Sequence, residues 1–361
     1  MANFDLSALA LKAVCPTNEI LYDDKGLPSV MVYIPKFKLS AVIDGASDSI
    51  HPAFIVNGKE IDGFYVSKYQ NIVKDSRAYS LPCEDPRANI NLNTAIQYCN
   101  NKGEGWHCMT RAEWAAIALW CKKNGTQPKG NNNYGKDVAD STYDGIPTTY
   151  DSSTGNILHI ATGSGPLSYS HNGELSGIWD LNGNVSEWQG GLRTVYGEIQ
   201  ILANNNAADE DNDQGASSAQ WMAIDAATGN LVTPAGDGST TGTVKVDWQS
   251  NHAMLSTNIT TRMTEYKSCT FATITADSNI GDNAKELLKA LCLLPADSDA
   301  SAYNGDMTYW NNGEAERAFH AGGHYTNGSS AGVFFLYGNY ARSGSNPTIG
   351  FRSAFVSLPT E

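Results

Sequence analysis

Gly328-Ser-Ser330-Ala-Gly332 has the spacing of a G-x-S-x-G nucleophile elbow, in which a serine on a sharp strand-to-helix turn is activated by a histidine. That chemistry needs a helix behind the serine and a histidine later in the chain. Val333 to Tyr340 reads as a strand instead, and the last histidine, His324, precedes the serine. The pattern is therefore read as a Gly-Ser turn. His320 and His324 stand at i, i+4, the spacing with which a helix offers two imidazoles to zinc. Ala321, Gly322 and Gly323 oppose a helix there, and the glutamate of such motifs is missing. Both histidines are expected at a surface or interface. Asp209, Asp211 and Asp213 imitate the start of a calcium loop, but Gln214 and Gln220 replace its glycine and its bidentate glutamate. A solvated acidic loop is expected, with calcium the one cofactor left open. Glu174, Asp180 and Glu187 have the types needed for glycoside hydrolysis. Nothing in their surroundings marks them as paired or desolvated, and carboxylates in glycine-rich loops commonly accept backbone N–H groups.

The seven cysteines form no C-x-x-C pair and offer no zinc spacing. They are read as mostly reduced, with one disulfide left open. Asn184-Val-Ser186, Asn258-Ile-Thr260 and Asn327-Gly-Ser329 fit the glycosylation pattern. They carry no weight without a secretory leader, and Met1 to Ala13 lacks the basic and apolar regions of one. A formal charge of −14 repels phosphate, so neither nucleic acid nor an anionic lipid surface is an expected partner. No apolar run reaches the roughly 18 residues of a membrane span.

The elements that must position these groups are short. Met31-Val-Tyr-Ile-Pro35 and Ile61 to Tyr69 read as strands. Asn93 is the expected cap of a helix through Ile96 and Cys99, stopped at Gly103. Thr110-Arg-Ala-Glu113 is a capping box for a second helix carrying Trp114, Ile117, Ala118 and Cys121 and ending at Gly125. Gly130 to Gly177 reads as ordered loop. Glu198 to Leu202 and Thr243 to Trp248 read as strands. Asp282 is expected to cap a helix with Leu287, Leu288, Leu291 and Leu294 on one stripe, ended by Pro295. With 34 glycines, 17 tyrosines and no internal repeat, one elaborated, loop-rich domain is favoured.

Three segments carry a family resemblance. Met31-Val-Tyr-Ile-Pro35 with Ile61-Asp-Gly-Phe-Tyr65 resembles the opening of the formylglycine-generating-enzyme (sulfatase-modifying-factor) family. Gly177-Ile-Trp-Asp-Leu-Asn-Gly-Asn-Val-Ser-Glu-Trp188 resembles its central D-x-x-G-N-V-x-E-W signature, and Ile349-Gly-Phe-Arg352 its closing G-F-R. The resemblance implies an α+β, C-type lectin-like fold of that type, irregular and loop-rich, with an inserted subdomain. It spans residues 28–361, after an N-terminal segment 1–27, with the insertion at about 190–299. Trp179, Gly183, Asn184, Trp188, Gly350, Phe351 and Arg352 form its fold signature. Gly183 and Asn184 suit a tight turn with positive φ, the two tryptophans are core plugs, and Arg352 bonds carbonyls or a buried carboxylate. The family's oxidases hold copper through a C-terminal cysteine pair, and no cysteine lies between Arg317 and Glu361. No oxidase activity, and no enzyme activity of any kind, is expected.

The stretch from Ala321 to Arg352 further resembles the variable region of proteins diversified by retroelements, in which asparagine codons are copied with errors at their adenines. Within a variable region at about 317–356, the matching positions are His320, His324, Tyr325, Thr326, Ser330, Phe335, Tyr337, Gly338, Tyr340, Gly344, Pro347 and Thr348. Tyrosine, histidine and phenylalanine give contact area at low entropy cost, and small polar residues adapt. The set is therefore expected on a solvent face, with Val333, Phe334 and Leu336 in the core. The resemblance implies a receptor-binding protein at a phage tail-fibre tip, made in the bacterial cytoplasm and carried in the virion, or else displayed on a bacterial surface. Its implied partner is a bacterial cell-surface protein or glycan, and avidity favours a homotrimer. A lectin-like module with a fixed glycan site is the alternative, and a copper oxidase of the formylglycine-generating type, disfavoured by the absent C-terminal cysteine pair, is the second.

Overall fold

The computed structural model describes residues 4–143 and 145–358, so Met1 to Asn3 and the last three residues of the expected domain lie outside the described residues. It is a mixed α and β fold, rich in strands and loops, with four α-helices among the described residues. No helix among them is long and apolar enough to cross a membrane.

Two sheets organise the chain. The first has five strands in the order Asn18–Tyr22, Pro28–Pro35, Gly63–Ser67, Ser353–Phe355 and Trp106–Cys108, all antiparallel. The C-terminal strand is thus inserted among N-terminal ones, with Ala354 opposite both Val66 and His107. The second sheet has twelve strands. Its main path runs Lys267–Thr270, Met307–Trp310, Gly332–Tyr340, Arg317–Gly322, Ser186–Val195, Glu198–Ile201, Lys245–Gln249, His252–Ser256 and Thr275–Ala276. Its two end strands are separated in sequence by one short turn, so the sheet must curl back on itself. The Ala253 N–H reaches the Cys269 sulfur at 3.5 Å across the closure. Ile199, Val246, Leu255, Trp310, Phe319, Leu336 and Phe334 fill the inside. The stretch at about 190–299 adds its strands to this same sheet and Leu288, Leu291 and Leu294 to this same core.

Helix α1 is Phe4–Val14, α2 Leu92–Asn100, α3 Arg111–Asn124 and α4 Asp282–Ala290. The capping box of α3 forms as its sequence dictates, and the helix ends on Gly125 at φ 66°. Trp114 donates its indole N–H to the Val333 carbonyl at 2.8 Å, which ties α3 to the curled sheet. Two caps differ from expectation. Asn91, not Asn93, caps α2 by accepting the Thr94 N–H at 2.9 Å, while Asn93 lies in the first turn and accepts from Arg342. Gly281, not Asp282, precedes α4 and gives no side-chain cap. That helix stops at Ala290, before Pro295, and the chain turns through Cys292 at φ 48°.

Candidate binding face

Strand Ser186–Val195 lies at the junction of two different environments, because alternate side chains of a strand point to opposite faces. Glu187 and Trp188 are neighbours on it. Glu187 points to Arg352, whose guanidinium is fully buried and makes a two-pronged pair, Nε to Oε2 at 2.9 Å and Nη2 to Oε1 at 2.8 Å. Two further Arg352 N–H groups go to the carbonyls of Ser67 and Trp179, both at 2.8 Å. One side chain thereby joins the central signature, the closing G-F-R and the first sheet. Asn184, at φ 61°, accepts from Ile160 N–H and Asn131 and donates to Gln70 and the Ile160 carbonyl. Gly183, at φ 78°, sits where a Cβ would meet the Asn131 carbonyl oxygen at 2.2 Å. Gly350 is similarly pressed against the Arg87 carbonyl, and Phe351 and Trp179 are buried. Glu187 is therefore spoken for. Asp180 accepts the Gly163 N–H, and burial pushes its carboxyl up to about 6. Glu174 is exposed.

Trp188 points the other way. Its ring meets His320 at 5.3 Å edge-on and Tyr340 at 6.5 Å, while its N–H donates to the Ile90 carbonyl. From there an aromatic row crosses four strands. His320 stacks on Tyr337 with centroids 4.9 Å apart and planes 16° apart, and Tyr337 lies 5.5 Å from Tyr340. Tyr337 continues to Tyr309 at 4.8 Å and Tyr266 at 5.8 Å, and Phe335 sits 5.5 Å from Tyr309. The register explains the row. Thr308 and Trp310 pair with Leu336 and Gly338 and point inward, which leaves Tyr309 beside Tyr337 pointing outward. Burial raises the Tyr309 phenol and holds the Tyr337 phenol up at about 12, so both stay protonated.

A second cluster lies on the loops. Tyr325 packs against Tyr134, His159 and His324 at 6.1, 5.5 and 5.6 Å. His324 accepts from the Thr326 N–H, and burial lowers its imidazole to about 4. His159 reaches the Pro347 carbonyl at 3.3 Å, which brings Pro347 to the same rim.

The fold divides the twelve expected binding positions. Thr326 and Pro347 are exposed, and His324, Ser330, Tyr337, Tyr340, Gly344 and Thr348 are part-exposed. Ser330 lies beside the Tyr309 phenol, Thr348 donates its N–H and hydroxyl to Asn346, and Gly344 packs on the Tyr340 ring. Four positions correct the expectation of a solvent face. His320 is 3% exposed, Phe335 1% and Tyr325 7%, because each lies beneath a neighbouring ring. Gly338 points inward, where a Cβ would meet the Phe319 ring at 2.1 Å. Burial lowers the His320 imidazole to about 3, and neither ring nitrogen has a hydrogen-bond partner. Tyr266, Tyr309, Tyr134 and His159 escaped the sequence reading. No local pattern marks Tyr266, and none marks Tyr309 either: in Met307-Thr-Tyr-Trp310 the polar Thr308 is buried, so its outward neighbour is set by strand pairing and not by alternation.

The other chemistry-bearing residues are held by structure. Gly328–Ser330 is a 3-10 turn, as a Gly-Ser turn requires. Asp209 accepts from Asp211 N–H and Asn57, and Asp213 from Gly215 N–H. Among the described residues no three His, Cys, Asp or Glu side chains converge on a metal-sized position. All seven cysteines are free thiols, six of them buried.

No protein-family model and no curated protein matches the chain. Solved structures give slight likenesses. Treponema denticola variable protein 1 is 12% identical over 94% of this chain and 99% of its own, with a TM-score of 0.32. The M1 variant of Major Tropism Determinant is 10% identical over 95% of this chain and 72% of its own, at 0.31. PvdO from Pseudomonas aeruginosa is 13% identical over 93% of this chain and 97% of its own, at 0.30. Likeness of this degree carries neither fold nor function, which rest on the residues themselves.

Proposed function

We propose that this chain is a non-catalytic target-binding protein with a C-type lectin-like fold of the formylglycine-generating-enzyme type, whose region 317–356 is diversified by a retroelement. The observation that supports it most is the aromatic row. It is uncharged, Tyr309, Tyr337 and Tyr340 reach solvent over a buried His320, it stands on hydrogen-bonded strands, and it is built largely from residue types reachable from an asparagine codon. Rings held by a sheet need little further ordering when a partner docks, so more of the contact energy survives as affinity. The target is a bacterial surface ligand, and the site of action is the tip of a phage tail fibre. Several copies acting together, as in a homotrimer, would offset weak single-site binding.

Sequencing the DNA that flanks the gene tests this. The expected result is a near-copy of the codons for Arg317 to Phe355 beside a reverse-transcriptase gene, with mismatches confined to adenines. Mismatches that spare the codons for Tyr337 and Tyr340 would count against it, as would the lack of any such repeat.

A further inference from the structure

We infer that the recognition face is composite: Tyr309 and Tyr266, both outside the 317–356 region, are permanent aromatic anchors of it, and the partner they fit is a folded protein. This rests on the reading of the face given above and adds to it two fixed residues and a class of partner.

Parity along the strands places them. In Lys267–Thr270, Cys269 is buried opposite inward-pointing Thr308, and Ser268 lies opposite Tyr309 on the outer face. Tyr266 shares the parity of Ser268 and so emerges on that face, where it is 47% exposed. Its ring touches Tyr309 at 5.7 Å and Tyr337 at 5.8 Å. The residue that touches Tyr337 from the far side of the row is thus supplied by the 190–299 stretch. Fixed rings give a changing neighbour something constant to stack upon, which keeps a new side chain at position 337 from needing a new support.

The shape favours protein. The planes of Tyr266, Tyr309 and Tyr337 are tilted by 60°, 49° and 33° to one another, so they form a stepped surface, not one flat plate for a sugar ring. The row carries phenols and a neutral imidazole and no ionised group to order sugar hydroxyls. A stepped surface of tilted rings suits the aliphatic and aromatic side chains of a protein hot spot.

The test uses the full chain, displayed as a library randomised at His324, Thr326, Ser330, Tyr337, Tyr340 and Pro347. It is selected on purified lysozyme and, separately, on immobilised mannan, beside an established binding scaffold as control. Independent lysozyme binders then receive Tyr266→Ala or Tyr266→Phe. Expected is a loss of roughly tenfold or more in affinity for Tyr266→Ala, retention for Tyr266→Phe, and an unchanged melting temperature. Affinities that stay within about twofold would overturn the composite face. So would a large fall in melting temperature, which would make Tyr266 a structural lid. Binders to mannan alone would overturn the protein partner. If the control yields binders and this library none, the reading of the face itself fails, and the inference falls with it.

Discussion

Glu187 and Trp188 are adjacent in one strand and serve opposite ends. On the Glu187 side, charge is buried and every nitrogen and oxygen of the pair has a partner: both carboxylate oxygens accept from the guanidinium, which also donates to two carbonyls. On the Trp188 side there is no charge, the rings are tilted at several angles, and His320 keeps both nitrogens without a partner. A satisfied polar network tolerates no substitution, since removing one member leaves the others desolvated and unpaired. An aromatic row on a pleated backbone loses only area when a ring changes. Constancy of fold and freedom of surface thus diverge from neighbouring residues of one strand, with Trp188 itself the buried inner end of the row.

The sharpest way to break that contrast is Arg352→Ala. Leaving Glu187 buried and unpaired is expected to cost about 3–5 kcal/mol, read as a lowered denaturant midpoint. A cost below about 1 kcal/mol would show the pair to be dispensable. Next come two tyrosines treated alike by sequence. Tyr325→Ala, in the packed loop cluster, is expected to lose roughly 3 kcal/mol, and Tyr337→Ala, part-exposed on the row, roughly 1 kcal/mol. Equal losses would erase the distinction between them.

Proton linkage gives a subtler test. Asp306 is buried, with one oxygen on the Phe334 N–H and the other unpartnered, and burial raises its carboxyl well above 3.8. Its folded form holds a proton that the unfolded chain releases. Its contribution is therefore full below about 3.8 and is lost as pH rises toward the folded value. Asp306→Asn should flatten that loss in unfolding curves taken across pH. His320 acts in the reverse sense. Folded, it titrates at about 3, against 6.5 for a free imidazole, so stability is full above about 6.5 and falls as pH drops toward 3. His320→Phe should remove that slope and gain about 1 kcal/mol at pH 7, because two unpaired nitrogens leave the interior. The smallest expected effect is that of calcium: with Asp209 and Asp213 engaged by backbone N–H groups, millimolar calcium should leave the melting temperature unchanged.

What could be read from the chain follows the range of the forces involved. The α3 capping box and its Gly125 stop are local chemistry, and both were legible. Arg352 was legible as a buried donor, though its carboxylate partner, 165 residues away, was not identifiable. The cap of α2 falls on Asn91 and not on Asn93, whose side chain is held by Arg342, a partner far along the chain. Burial of His320 and Phe335 was hidden because it depends on which strand lies alongside. Arg317–Gly322 and Gly332–Tyr340 are neighbours in sequence, but Tyr309 and Tyr266 reach the row only because Met307–Trp310 pairs with Gly332–Tyr340 and with Lys267–Thr270.

A saturation scan of positions 317–356, scored for folding by display and protease resistance, bears most directly on the division between constant fold and variable face. Tyr337, Tyr340, His324, Thr326, Ser330 and Pro347 should accept most residue types, while Phe319, Leu336, Gly338 and Arg352 should accept almost none. If the outward positions prove as intolerant as the inward ones, the row is core, and it cannot be the surface on which recognition is varied.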